Sequence, residues 1–236
     1  MKTIFHPATE RGHANHGWLN AYHSFSFASW YDPTKVHFGM LRVLNDDTVA
    51  PGMGFGMHPH DNMEIVTIPI EGMLEHKDST GGNGTISSGE VQIMSAGTGV
   101  YHSEFNGSKT QPVKLFQTWI FPKEENITPR YDQKVFPKEA RMDKLNVIVS
   151  PEKSDSTLWI NQDAWYSLGN FSKKNSVDYS VHKKGNGVYV FVIEGNASIG
   201  DNKAGKRDAI GVWETENFSI DVEEGTELML IEVPMN

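Results

Sequence analysis

No cysteine occurs anywhere in the 236-residue chain. That excludes disulfides, zinc–thiolate sites, iron–sulfur clusters and cysteine nucleophiles together. Positive charge is also short: 21 Lys and Arg stand against 30 Asp and Glu, a formal charge of −9. Such a surface repels phosphate backbones, so direct nucleic-acid binding is not expected. The opening MKTIFHPATERGHANHGW lacks the apolar stretch of a secretory signal. No segment approaches the roughly 20 apolar residues of a membrane span. A soluble cytoplasmic protein without membrane contact is the expectation. Long amphipathic segments of period 3.6 are missing too, which leaves little room for helix.

What is present is short strand patterns and glycine-bearing turns. Residues 40–44, 63–70, 91–94 and 114–121 read as strands, with Asn45-Asp46-Asp47 and Glu71-Gly72 as turns. A second set covers residues 145–149, 158–160, 177–182, 188–193, 209–213, 218–222 and 227–233. Between the sets lies a charged stretch with Pro129 and Pro137 and no clear period. The halves echo each other: IVTIPIEG at 65–72 resembles VYVFVIEG at 188–195. Strands recurring about every 8–12 residues indicate sandwiches or barrels. The expected fold is therefore all-β, with two tandem antiparallel barrels. The expected division is residues 1–125 for the first domain, 126–143 for the connection and 144–236 for the second.

Ten histidines are present. His58-Pro59-His60 is the informative pair. Residues i and i+2 of a strand share a face about 6.6–7 Å apart, so two imidazoles can lean onto one cation. His102 and Glu104 repeat that spacing. Two such pairs on neighbouring strands would gather three nitrogens and a carboxylate, which suits Fe, Mn, Co, Ni, Cu or Zn. Glu64 is a competing carboxylate, and the residues alone do not separate it from Glu104. Phe55, Met57, Met63, Phe105 and Trp119 stand near these pairs, as candidate lining for a flat apolar pocket or as ordinary core. Trp18, Phe25, Phe27 and Trp30 read as a packed N-terminal arm, and His13, His16 and His23 as hydrogen-bonding groups within it. His182 reads as a surface histidine, and no histidine follows it to build a second three-histidine site.

GFGMHPHDNMEIV followed by Gly72 resembles the first cupin motif, and Gly89 with SAG, His102 and Asn106 resembles the second. Ser95 stands where that motif has proline, and four residues rather than two separate Gly97 from His102. With RGHANHGWLNAYHSFSFASWYDP, LRVLNDD and LFQTWIFP, these departures resemble the pirin family, closest to bacterial pirin-like proteins with quercetinase activity. The resemblance implies a bicupin with one metal, in the N-terminal barrel only. It implies His58, His60, His102 and Glu104 as ligands, with Glu64 second choice. It implies Fe(II) first among divalent metals, with Cu, Ni, Mn, Co or Zn as alternatives. It implies a dioxygenase that cleaves flavonols such as quercetin with O2 and releases carbon monoxide, Glu104 serving also as base. The family's other known role is a non-enzymatic, metal- or redox-gated transcription coregulator acting through a protein partner. Two fused barrels cover the faces that single cupins bury by pairing, so a monomer is expected.

Overall fold

A computed structural model describes residues 1–236. It contains no α-helix; two 3-10 turns, Ala8–Glu10 and Lys138–Arg141, interrupt an all-strand chain. No helix is long and apolar enough to cross a membrane. The strands of the first half are β1 (Lys2–His6), β2 (Gly12–Asn15), β3 (Leu19–His23), β4 (Leu41–Val49), β5 (Gly54–His60), β6 (Glu64–Glu71), β7 (Met73–Asp78), β8 (Asn83–Ser87), β9 (Glu90–Ser95), β10 (Val100–Asn106), β11 (Val113–Ile120) and β12 (Arg130–Val135). Those of the second are β13 (Leu145–Ser150), β14 (Leu158–Trp159), β15 (Trp165–Phe171), β16 (Asn175–Ser180), β17 (Asn186–Glu194), β18 (Ala197–Ile199), β19 (Asn202–Ala204), β20 (Ala209–Trp213), β21 (Asn217–Val222) and β22 (Thr226–Pro234).

They form four sheets, ordered β5-β10-β7-β8, β12-β9-β6-β11-β4-β3-β2, β1-β20-β17-β22-β15-β13-β14 and β16-β21-β18-β19. Each half is thus a seven-stranded sheet facing a four-stranded one, a sandwich rather than the closed barrel expected. The two halves share one plan. The echoing segments are β6 and β17, and each sits third in its large sheet. Two strands cross the expected boundaries. β1, at the chain's start, pairs with β20 of the second half. β12, inside the stretch read as a connection, pairs with β9 of the first. The second half thereby takes its outer strand from the chain's start, and the first half extends to Val135.

Strand parity sorts the apolar residues into layers. On β17, Tyr189, Phe191 and Ile193 join Leu44, Ile68, Phe116 and their neighbours in a core of 25 buried residues between the two large sheets. Val188, Val190 and Val192 face the other way, into the interior of the second half. Both faces of β17 are covered, which is why its sequence is continuously apolar instead of alternating. The same holds for β6. Asp46 ties the halves at the margin of this core, accepting hydrogen bonds from Arg11 at 3.2 Å and Arg207 at 2.8 Å.

Asn45-Asp46-Asp47, expected as a turn, runs in mid-strand instead. β4 extends to Val49 because β3 and β11 pair with it on both sides. Its polar side chains have destinations: Asp46 meets the two arginines, and Asn45 and Asp47 face the interior of the first sandwich. Tertiary pairing overrides a local turn preference here.

Phe116 is fully buried and packs edge-on to Phe191 with ring centroids 5.3 Å apart. We expect Phe116→Ala to lower the unfolding free energy by about 3–5 kcal/mol. Calorimetry should still show one transition, because the core belongs to both halves. Two separated transitions, one unmoved by the substitution, would contradict a shared core.

Candidate metal centre and its cavity

The interiors of the two sandwiches differ in chemistry. Between its sheets the second holds an apolar cluster of 15 residues. On β16 and β21, the strands that match β5 and β10, Val177, Tyr179, Phe218 and Ile220 stand in register. The first has two small apolar clusters, one around Leu19, Leu74 and Leu115 and one around Ile65, Met94 and Val100. Thr67, His76, Gln92, His102 and Glu104 are buried polar residues of the same half.

β5 and β10 bring the expected residues together. His102 lies opposite His58 in the antiparallel register, and Glu104 lies opposite Phe55. Between those pairs β5 spends one residue more than β10, a bulge that turns Phe55 to the histidine side. Gly54 permits the close approach: a Cβ there would lie 2.2 Å from the Glu104 carbonyl oxygen. His58 Nε2 and His102 Nε2 are 2.9 Å apart. The His60 ring centroid is 4.9 Å from that of His58 and 4.8 Å from that of His102. The ligating atoms of His58, His60 and His102 all lie within 4.8 Å of one another, as do those of His76, His102 and Glu104.

Burial keeps two of the imidazoles in the form that coordinates. Burial, then the nearby His58, lowers His60 to about 4. Burial and the imidazoles of His58, His60 and His76 lower His102 to about 2. Both rings are therefore neutral near pH 7, with lone pairs free for a cation. Burial raises Glu104, although Gln117 Nε2 donates to its Oε2 at 2.8 Å. Glu104 Oε1 is buried without a partner. Three imidazoles and one unsatisfied carboxylate oxygen fit a single divalent ion, and His58, His60, His102 and Glu104 would hold it.

Glu64 lies elsewhere. The chain turns after His60, with Asn62 at φ 42°, and Glu64 opens β6 in the other sheet. Parity counted from His58 does not survive that turn. Glu64 Oε2 accepts hydrogen bonds from Ser95 Oγ at 2.8 Å and from the Asn161 backbone at 3.1 Å, joining the two halves. Burial raises it to about 7.

A cavity of about 230 Å³ opens beside the cluster, lined by His58, His60, Glu104 and Gln117 at one side. Of the five candidate lining residues, Phe55 and Trp119 border it; Met57, Met63 and Phe105 do not. Met57 precedes His58 and Phe105 follows Glu104, so the pleat turns them outward, and both are exposed. Met63 packs on the small cluster around Met94. Phe27, read as part of a packed arm, is a cavity wall standing edge-on to Trp119 at 5.3 Å. Phe25 goes to the core between the large sheets, and Trp18 packs on Phe55.

His76, Asn45 and Asp47 were not singled out from sequence as site residues, and His23 was read only as a hydrogen-bonding group of the arm. His76 is fully buried on β7 opposite Glu104 and donates Nε2–H to Asp78 at 3.0 Å. His23, Asn45 and Asp47 form a second polar group in the cavity wall. Burial, with Asp46 and Glu104 nearby, raises Asp47 to about 8. Alternation along β7 was the available signal for His76, whose partner Asp78 is two residues on. His182 is partly exposed, stacked on Trp165 and bonded to the buried Glu232 at 2.8 Å.

Two antiparallel sandwiches, one carrying a His/Glu cluster on paired strands, define a double-cupin protein. The comparisons narrow the class. The family model described as Pirin matches residues 5–120, and that of the quercetinase C-terminal cupin domain matches 147–233. A quercetin 2,3-dioxygenase of Escherichia coli is 43% identical over 228 residues, 96% of each chain. A pirin-like protein of Caulobacter vibrioides is 37% identical over 227 residues, 96% of this chain and 97% of its own. The bacterial pirin YhhW of Escherichia coli, solved in complex with nickel(II), superposes with a TM-score of 0.93 at 40% identity over 99% of both chains. The chain belongs to the pirin family.

Metal analysis of purified variants separates the two carboxylates. Glu104→Ala should lose most bound metal, and Glu64→Gln should keep it. The reverse would exchange their roles. Glu64 also carries a pH signature. Its folded value, about 7, stands above the ordinary 4.5, so the folded state binds its proton more tightly and this group removes stability as pH rises between those values. At roughly 1.4 kcal/mol per unit, Glu64→Gln should gain about 2.5 kcal/mol on the wild type from about pH 5 to pH 8. Denaturation at the two pH values checks this, and a constant difference would refute it.

Proposed function

We propose that the protein is a metal-dependent dioxygenase that opens flavonols such as quercetin, using O2 and releasing carbon monoxide. The observation that carries this reading is the junction of His58, His60, His102 and Glu104 with a slot walled by Phe27, Phe55 and Trp119. Full-length similarity to a quercetin 2,3-dioxygenase supports it. The enzyme is an oxidoreductase. Imidazole and carboxylate donors without thiolate suit several first-row divalent ions. Iron(II) is the ion proposed here, with nickel(II), seen in the related bacterial pirin, as the first alternative. A cation held there supplies positive charge to the substrate's deprotonated 3-oxygen and open positions for small ligands.

The protein's own groups divide the remaining work. Glu104, whose Oε1 has no protein partner, would loosen from the cation and accept the proton of the 3-hydroxyl there. Gln117 fixes that carboxylate through Oε2, and its own Oε1 accepts from Trp119 Nε1 at 3.2 Å, so base and wall are held as one unit. The aromatic walls hold a flat ring system and keep bulk water away. About 230 Å³ is small beside the roughly 300–1,000 Å³ of common ligand clefts, so part of a flavonol remains at the mouth. The ring opens with both oxygen atoms retained in the organic product and one ring carbon leaving as carbon monoxide.

Oxygen uptake by the iron-loaded protein given quercetin is the test. Uptake should match quercetin loss, and His58→Ala should abolish it. Glu104→Gln, where it still binds iron, should lower turnover by about 10²–10⁴-fold, as loss of a general base does. No uptake with iron confirmed bound would overturn the assignment.

A further inference from the structure

The wall of the cavity facing the ligand pairs is written in the odd-numbered residues of three adjacent strands. Leu19, Ala21 and His23 come from β3, Asn45 and Asp47 from β4, and Gln117 and Trp119 from β11. The register sets Asn45 between His23 and Gln117, and Asp47 between Ala21 and Leu115. Asp47 is 5% exposed, and its Oδ1 is buried with no hydrogen-bond partner. The charged groups that bear on it, Asp46 and Glu104, are acids and do not pair with it. Asn45 Oδ1 beside it is engaged with His23 Nδ1 at 2.8 Å. A buried carboxyl left unsatisfied costs stability, and here it borders a ligand-sized space. The second sandwich, with the same topology, fills its interior with aliphatic and aromatic residues instead.

We propose that Asp47 is a second anchor of this cavity, hydrogen-bonding a phenolic hydroxyl that the substrate carries away from its metal-binding oxygen. The inference rests on the flavonol reading and extends it. Asp47, Asn45 and His23 then make hydroxylation pattern, and not ring shape alone, a criterion of selection. A site built to bond a hydroxyl discriminates strongly against the analogue that lacks it, because its own polar group is then stranded. Asp47 can serve as acceptor when ionised and as donor when protonated, so the bond forms in either state. Its role is in positioning and specificity; the reacting atoms lie at Glu104 and the histidines.

The experiment compares quercetin with 3-hydroxyflavone, which keeps the metal-binding oxygens and lacks the other hydroxyls. Dissociation constants are measured by calorimetry on the metal-loaded protein without oxygen. The wild type should bind quercetin about tenfold more tightly, the worth of one good hydrogen bond to a buried acid. Asp47→Leu should erase that ratio by weakening quercetin alone, with no loss of thermal stability. Asp47→Asn, which keeps a donor and an acceptor, should restore most of it. Equal affinities in the wild type, or the same ratio in Asp47→Leu, would overturn the anchor. The wild-type comparison removes the hydroxyls from the ligand, so it decides even where a variant fails to fold. Turnover in air is read separately. Flavonols bound with the expected ratio and not consumed would refute the dioxygenase and leave the anchor standing.

Discussion

The apolar layer between the two seven-stranded sheets is the constraint on which the rest depends. It draws on both halves of the chain and buries side chains such as Leu44, Phe116, Phe191 and Ile231 completely. Burial of this kind supplies most of the favourable free energy of a fold. With that layer and the second sandwich carrying stability, the first sandwich does not need an apolar centre. Its interior is therefore available for histidines, acids and a cavity, none of which would hold two sheets together.

The odd and even positions of the same strands express this division. On β11, Phe116 and Ile120 serve the shared core, while Gln117 and Trp119 face the cavity. On β4, Leu44 points to the core, Asp46 to the arginines at its edge, and Asn45 and Asp47 to the cavity. A strand carrying Asn-Asp-Asp through a folded interior is costly unless each polar group has a use. Asp46 meets Arg11 and Arg207; Asn45 meets His23. Asp47 is left for a ligand.

Much of this was legible in the chain. The runs at 63–70 and 188–193 were readable as strands because both their faces are buried. The pairs His58/His60 and His102/Glu104 were readable because spacing of two is the period of a strand. Other features came from distant parts of the sequence and left no local mark. The placement of β1 and β12 depends on pairings over long separations and on short segments. His76, Asp47 and Gln117 are single residues on three strands, joined only by the fold. Met57 and Phe105 lie outside the cavity for a reason that alternation contains, since the neighbours of the inward-facing His58 and Glu104 face outward. Phe55 escapes that rule only through a bulge, which no pattern in the residues announced. Glu64 was a plausible ligand by counting, and a turn at Asn62 separates it from the pair.

The most direct test of the account is the crystal structure of the iron-loaded protein with quercetin bound in the absence of oxygen, with the metal located by anomalous scattering. The expected result is one iron, held by His58, His60, His102 and Glu104, with the flavonol beside Trp119, Phe55 and Phe27. Iron held by Glu64, or a flavonol seated away from the first sandwich's interior, would contradict it.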